Sequence, residues 1–173
     1  MKKIASFLIS SLLFVLMAAG TCSAALPPDF DNTEKPLLVK TWFAQPNCTP
    51  DIEDSWYRDV FAMVQNELGN RNIEVVDSID AWTAFSADKT GRTLNRDTVR
   101  KEYNMYINQN YAGILNITVD KYVTHPNGLS EVSVTVSCDR NNGGHSSFKA
   151  SSAMSGTGKT RMQLLNRCLI DLL

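Results

Sequence analysis

From Leu37 onward the apolar residues keep two periods, one near four and one of two, and the places where the period changes outline the fold. The run Leu37-Leu38-Val39-Lys40-Thr41-Trp42-Phe43-Ala44 is short and rich in branched and aromatic side chains, which predicts a strand buried over most of its surface. Trp56, Val60, Val64 and Leu68 then recur every four positions between Ile52 and Gly69, with Phe61 and Met63 beside them and Gly69-Asn70 as a stop, so a helix is predicted there. Residues 73–77 read as a second strand, and strand, helix, strand in this order predicts a parallel βαβ unit. Residues 78–91 keep no clear period, and Trp82 and Phe85 read as anchors that pin a loop or short helix to the core. Val99, Tyr103, Tyr106 and Ile107 share one helical face, with Arg96, Arg100, Lys101 and Glu102 elsewhere on that helix.

The second half changes to period two. Residues 111–123 predict a long strand with Leu115, Ile117, Val119 and Val123 on one face and mostly polar residues on the other. After the turn Pro126-Asn127-Gly128, Val132, Val134, Val136 and Cys138 alternate strictly with Ser133, Thr135, Ser137 and Asp139. Asn141-Asn142-Gly143-Gly144 closes a hairpin into residues 147–154, a more polar strand expected at or near an edge. A final helix from Lys159 carries Met162, Leu165, Cys168, Leu169 and Leu172 on one side. The expected architecture is a single mixed α/β domain over residues 37–173. About five strands form its sheet, parallel first and an antiparallel meander afterwards, and about three helices pack on it. Residues 26–36, rich in Pro, Asp and Asn, read as an extended lead-in.

Residues 1–25 have a different character. Lys2-Lys3, an apolar run from Phe7 to Ala19 and then Cys22-Ser23-Ala24-Ala25 follow the order of a secretory signal peptide, and the apolar part is too short for a membrane span. Cleavage after Ala24 or Ala25 leaves about 148 residues with 15 basic and 18 acidic side chains, a net charge near −3. That balance, without a dense Lys/Arg cluster, argues against nucleic acid or an anionic membrane surface as partner. The expected location is the bacterial periplasm. Cys22 permits a second reading, an outer-membrane lipoprotein beginning at an acylated cysteine, although Thr21 and Ala19 depart from the residues usual before such a cysteine.

Residues 153–160, Ala-Met-Ser-Gly-Thr-Gly-Lys-Thr, satisfy a relaxed phosphate-loop pattern, but they follow a polar strand and precede only one helix. A glycine turn feeding a helix is the expected role, with no nucleotide bound. His125 and His145 lie in turns without metal-ligand spacing, and Asp77 and Asp80, just past the second strand, have no nucleophile and base to join. No catalytic, cofactor or metal residue is therefore assigned, and no enzymatic activity is expected. The polar face of the meander, Asn116, Thr118, Asp120, Tyr122, Ser133, Thr135 and Ser137, is the candidate docking face.

Three cysteines follow the cleavage site. If the first three strands are parallel, the fourth runs back and ends with Cys138 at the bottom of the sheet, and the last helix, descending beside it, brings Cys168 to the same end. A Cys138–Cys168 disulfide with Cys48 unbridged is the expectation.

The order of elements, with Leu37 to Phe43, Glu67-Leu68, Val75-Val76-Asp77, Tyr111-Ala112-Gly113-Ile114-Leu115, Asp139-Arg140-Asn141-Asn142-Gly143 and Gly156-Thr157-Gly158, resembles a group of exported αβ domains. The group is typified by the TolB amino-terminal domain, the curli-secretion lipoprotein and the penicillin-binding-protein activator lipoproteins. That resemblance implies the fold, an envelope location and the binding of other envelope proteins. An exported accessory or assembly factor acting by protein–protein contact is thus the expected function. Its rivals are a secreted hydrolase and a carrier of a small apolar ligand, which would need a pocket among the aromatics.

Overall fold

A computed structural model describes residues 25–27, 30–31, 33–44, 55–87, 95–140 and 147–173. Within them follow β1 (Leu37–Phe43), α1 (Ser55–Gly69), β2 (Val75–Asp77), α2 (Ser78–Ala87), α3 (Arg96–Asn110), β3 (Gly113–Thr124), β4 (Leu129–Arg140), β5 (Phe148–Thr157) and α4 (Arg161–Leu172). The strands form one sheet in the order β2-β1-β3-β4-β5, with β1 parallel to both β2 and β3, and β3, β4 and β5 antiparallel in turn. This is the expected mixed sheet, with one helix more than predicted. That helix is α2, which buries Ala81 and Phe85 while leaving Ile79 and Trp82 exposed, so its apolar residues show no stripe in the sequence. Asp77 starts it by accepting a hydrogen bond from the Ile79 N–H at 2.6 Å, so this carboxylate caps the helix.

The two faces of the sheet are covered unequally. On one, the four-residue stripe of α1 and the apolar side of α4 close over Leu37 and Val39 of β1, Leu115, Ile117 and Val119 of β3, and Val132, Val134, Val136 and Cys138 of β4. Leu26 and Phe30, from the lead-in, complete that core. On the other face, α2 and α3 cover only the lower end of β1 and β3, where Leu38, Ala81, Ile107 and Tyr111 form a second cluster. Among the described residues no element covers the upper part of that face, and the candidate site lies there.

Two turns fix how the ends meet. After α1 the chain reverses through Asn72, in the left-handed region at φ 58°, with the Ile73 N–H bonded to the Leu68 carbonyl at 3.0 Å. This turn carries Arg71, whose guanidinium pairs with Asp31 at 2.6 Å and donates to the carbonyls of Leu26 at 2.8 Å, Pro27 at 3.0 Å and Leu173 at 2.5 Å. The Leu26 N–H also bonds to the Leu172 carbonyl at 2.9 Å, so the lead-in and the last helix lie side by side. At the start of α4, Gly158 takes φ +72° and Thr160 accepts from the Gln163 N–H at 3.2 Å, while the Gln163 side chain answers the Thr160 N–H at 3.0 Å. Of the phosphate-loop match, residues 153–157 thus belong to the antiparallel edge strand β5 and residues 158–160 form a helix-capping turn behind it.

The predicted Cys138–Cys168 disulfide is corrected. Both residues are buried thiols, and Cys168 Sγ lies 4.0 Å from the carbonyl of Val132, six residues before Cys138 on β4. At ~3.3 Å per residue, six strand positions are about 20 Å, far beyond the reach of a disulfide. The expectation erred in treating helix and strand descent as equal. A helix advances only about 1.5 Å per residue, so by Cys168 the last helix has come down less than half the length of β4. Burial raises the Cys168 thiol above its ordinary pKa, despite a hydrogen bond from Ser152 that lowers it. Cys22, Cys48 and His145 lie outside the described residues.

Candidate functional site

The open sheet face is organised as rows running across the strands. Pairing places Lys40 of β1 beside Asn116 of β3, Asn116 beside Ser137 of β4, and Ser137 beside Lys149 of β5. One step higher, Trp42, Thr118, Thr135 and Ser151 stand in line, and above them Lys121 faces Ser133, which faces Ala153. Six of the seven predicted docking residues, Asn116, Thr118, Asp120, Ser133, Thr135 and Ser137, lie half-buried on this face.

The middle row is held in place by hydrogen bonds. The Thr135 hydroxyl donates to Asp120 Oδ2 at 2.6 Å, and its oxygen lies 2.9 Å from Ser151 Oγ. With the Thr135 proton committed to the carboxylate, Ser151 is the donor in the second bond, so three strands are joined by one chain directed toward Asp120. At the upper rim, Glu131 is bonded by His125 Nε2 at 2.8 Å and by the Lys121 ammonium. Lys121 first, and His125 next, hold the Glu131 carboxyl below its ordinary pKa.

Tyr122 is the exception. It was expected on the open face, but it is buried among Phe43, Trp56 and the rest of the main core. The pairing of β3 with β4 slips between Val119 and Lys121, where an extra residue, Asp120, enters the strand as a bulge. One inserted residue reverses the face of every side chain beyond it, which turns Tyr122 inward and Val123 outward.

Trp42 departs from expectation in the opposite sense. It belongs to the run predicted as a strand buried over most of its surface, yet it stands 57 % exposed on the open face beside Thr118. The available signal was period two within β1: Leu38, Lys40 and Trp42 share a side, and past Leu38 none of the described helices covers that side. Phe43, on the opposite side, packs against Trp56 with ring centroids 3.8 Å apart.

The remaining candidates are not brought together. Asp77 caps α2, Asp80 lies in the first turn of that helix, His125 sits at the hairpin end with Glu131, and Lys159 is exposed in the turn before α4. Among the described residues no three His, Cys, Asp or Glu side chains are grouped to hold a metal ion.

No protein-family model matches the chain, and no curated protein matches it in sequence. Among solved structures it is similar to PelC from Paraburkholderia phytofirmans, crystallised as a dodecamer, with 15 % identity over 87 % of this chain and 89 % of that one and a TM-score of 0.50. It is also similar to the lipoprotein GNA1162 from Neisseria meningitidis, with 21 % identity over 72 % and 82 % of the two chains and a TM-score of 0.48. The PelC match shows a shared fold across nearly the full length of both chains.

Proposed function

We propose that this protein is an exported accessory or assembly factor of the bacterial cell envelope that acts by binding another protein through the open sheet face around Trp42. The observation that carries this reading is the exposed indole standing in line with an ordered row of polar side chains. Tryptophan is among the side chains that most often anchor protein interfaces, and polar groups already held in position lose little freedom on binding. Asn116, Thr118, Ser133 and Ser137 then act as the polar surround of that anchor. The signal-like residues 1–25 support an exported chain, and the likeness of its short signatures to the TolB amino-terminal group supports an envelope protein that binds others. The dodecamer formed by PelC is a case in which the same fold is built into a protein assembly.

A photoreactive amino acid placed at Trp42 or Thr118, and at Arg167 on the exposed side of α4 as a control, tests this in living cells. Discrete adducts from the first two positions and none from Arg167 are expected. Equal adducts at all three, or none at Trp42 and Thr118, would overturn the assignment of the docking face.

A further inference from the structure

The sheet has two edges of very different kind. At one, β2 is three residues long and offers little backbone to pair with. At the other, β5 runs for ten residues and pairs with β4 along its whole length without a slip. Among the described residues no strand pairs with its outer side. Alternate residues of such a strand turn their N–H and C=O groups outward, ready for another chain. Edges of this kind are commonly blunted by proline, by a bulge or by several charges. β5 has no proline and no bulge, and Lys149 is its one charged residue.

The backbone alone would accept any extended segment, so the side chains decide the partner. Even-numbered residues of β5 lie partly covered on the side of α4, and odd-numbered ones are exposed on the open face. In an antiparallel pair opposed residues share a face, so a second copy continues the sheet with its faces matched only where residues of like parity meet. Two registers keep the ladder longest, one centred on Ser152 and one on Ala153. In the first, Phe148 stands opposite Gly156 of the second copy and Met154 opposite its Ala150, so each large side chain meets a small one. Lys149 then faces Ser155, and the two Lys149 residues are about 20 Å apart, beyond the range of strong repulsion in salt. In the second register Phe148 has no counterpart. The strand is thus complementary to itself in size and in charge.

We propose that two copies of this protein pair edge to edge through β5, antiparallel and in the register centred on Ser152, to form one continuous sheet. Such a contact is isologous and closes at two copies. Both open faces then lie on the same side of that sheet, with the two Trp42 residues about 34 Å apart across the strands between them. The pairing uses the main chain of the edge and not Trp42, so it stands or falls separately from the docking of another protein on the open face.

Sedimentation equilibrium of the exported protein tests the pairing, and introduced cysteines test the register. A mass of two chains at about 100 µM, falling toward one on dilution, is expected for the parent. Ala153→Lys sets a charge on the exposed side of the edge beside the two-fold axis and should weaken the dimer at least about tenfold. Trp42→Ala should associate as the parent does. In a Cys48→Ser background, Lys149→Cys combined with Ser155→Cys should give a covalent dimer on mild oxidation, because opposed Cα atoms lie about 4.5–5.5 Å apart, within the span of a disulfide. Either of these two substitutions alone should give none, since each then faces a serine or a lysine. A parent that stays a single chain, an assembly larger than two, indifference to Ala153→Lys, or no covalent dimer from the double variant would each overturn the proposal.

Discussion

Tyr122 completes an aromatic group at the upper end of the core, with centroids 5.9 Å from Phe43 and 6.2 Å from Trp56, and with the Arg161 guanidinium 4.6 Å above its ring. Removing such a ring leaves a void that rigid neighbours cannot fill, and Tyr122→Ala is expected to lower stability by about 3 kcal/mol or more. Thr118→Ala, at a half-buried position on the open face, should change it by no more than about 0.5 kcal/mol. Urea unfolding of the two variants separates these outcomes, and similar midpoints would place Tyr122 on the outer face after all. Titration supplies a second prediction at this scale. Cys168, Tyr103 and Tyr111 are raised chiefly by burial from ordinary values of 9.0 for the thiol and 10.0 for the phenols. A raised folded-state pKa favours the neutral form, so the stability linked to it is fully present below the unfolded-state value and is lost as pH rises toward the folded one. The urea midpoint should therefore fall above about pH 9, from these three groups. Cys168→Ala should delay the onset of the fall, and an unchanged onset would exclude the thiol as a contributor.

Among the elements, β3 is the one on which the others are assembled, because it pairs parallel with β1 on one side and antiparallel with β4 on the other. Its first residue, Gly113, passes so close to β4 that an added Cβ would lie 2.5 Å from the Asp139 carbonyl oxygen and 3.2 Å from the Arg140 Cα. Both are backbone atoms held by the ladder. Gly113→Ala should cost about 1–3 kcal/mol, as overpacking does, and hydrogen exchange should quicken most at the lower end of β3 and β4. An unchanged exchange pattern would show that the sheet can open there without strain. The same strand shows what could be read in advance. The alternation of Leu115, Ile117 and Val119, and of Val132, Val134, Val136 and Cys138, places the core side of the meander because one wet face and one dry face leave period two in the sequence. A bulge leaves no such mark. Asp120 is an ordinary polar residue in its own position, and its effect appears only beyond it, in the inward turn of Tyr122. The exposure of Trp42 was hidden for another reason: whether a strand face is covered depends on where α2 and α3 end, not on β1 itself.

For the molecule as a whole, Arg71 is the residue that joins its ends. It forms one ion pair and donates to three main-chain carbonyls, and its side chain is 20 % exposed. Arg71→Ala takes a donor from each of those carbonyls, with that of Pro27 keeping the Phe30 N–H at 3.1 Å, and should cost about 2–3 kcal/mol, with faster hydrogen exchange at Leu26 and Leu173 before any change in the meander. Arg71→Lys should recover little of the loss, because an ammonium cannot reproduce the planar fork that reaches several acceptors at once. Full recovery by lysine would reduce the role of Arg71 to its pairing with Asp31.

Joining the ends in this way also sets the order in which the molecule can be completed. Leu26 and Phe30 belong to the same core as Leu169 and Leu172, and the Leu26 N–H is met by the carbonyl of Leu172, almost the whole sequence away. Contacts of such long separation form late, since the intervening chain must be brought together before they can reward its ordering. A polypeptide threaded amino end first thus delivers Leu26 and Phe30 earliest, yet their place is finished only when the last turn of α4 arrives. The meander and the βαβ unit can gather meanwhile, but the main core stays unsealed until α4 is through.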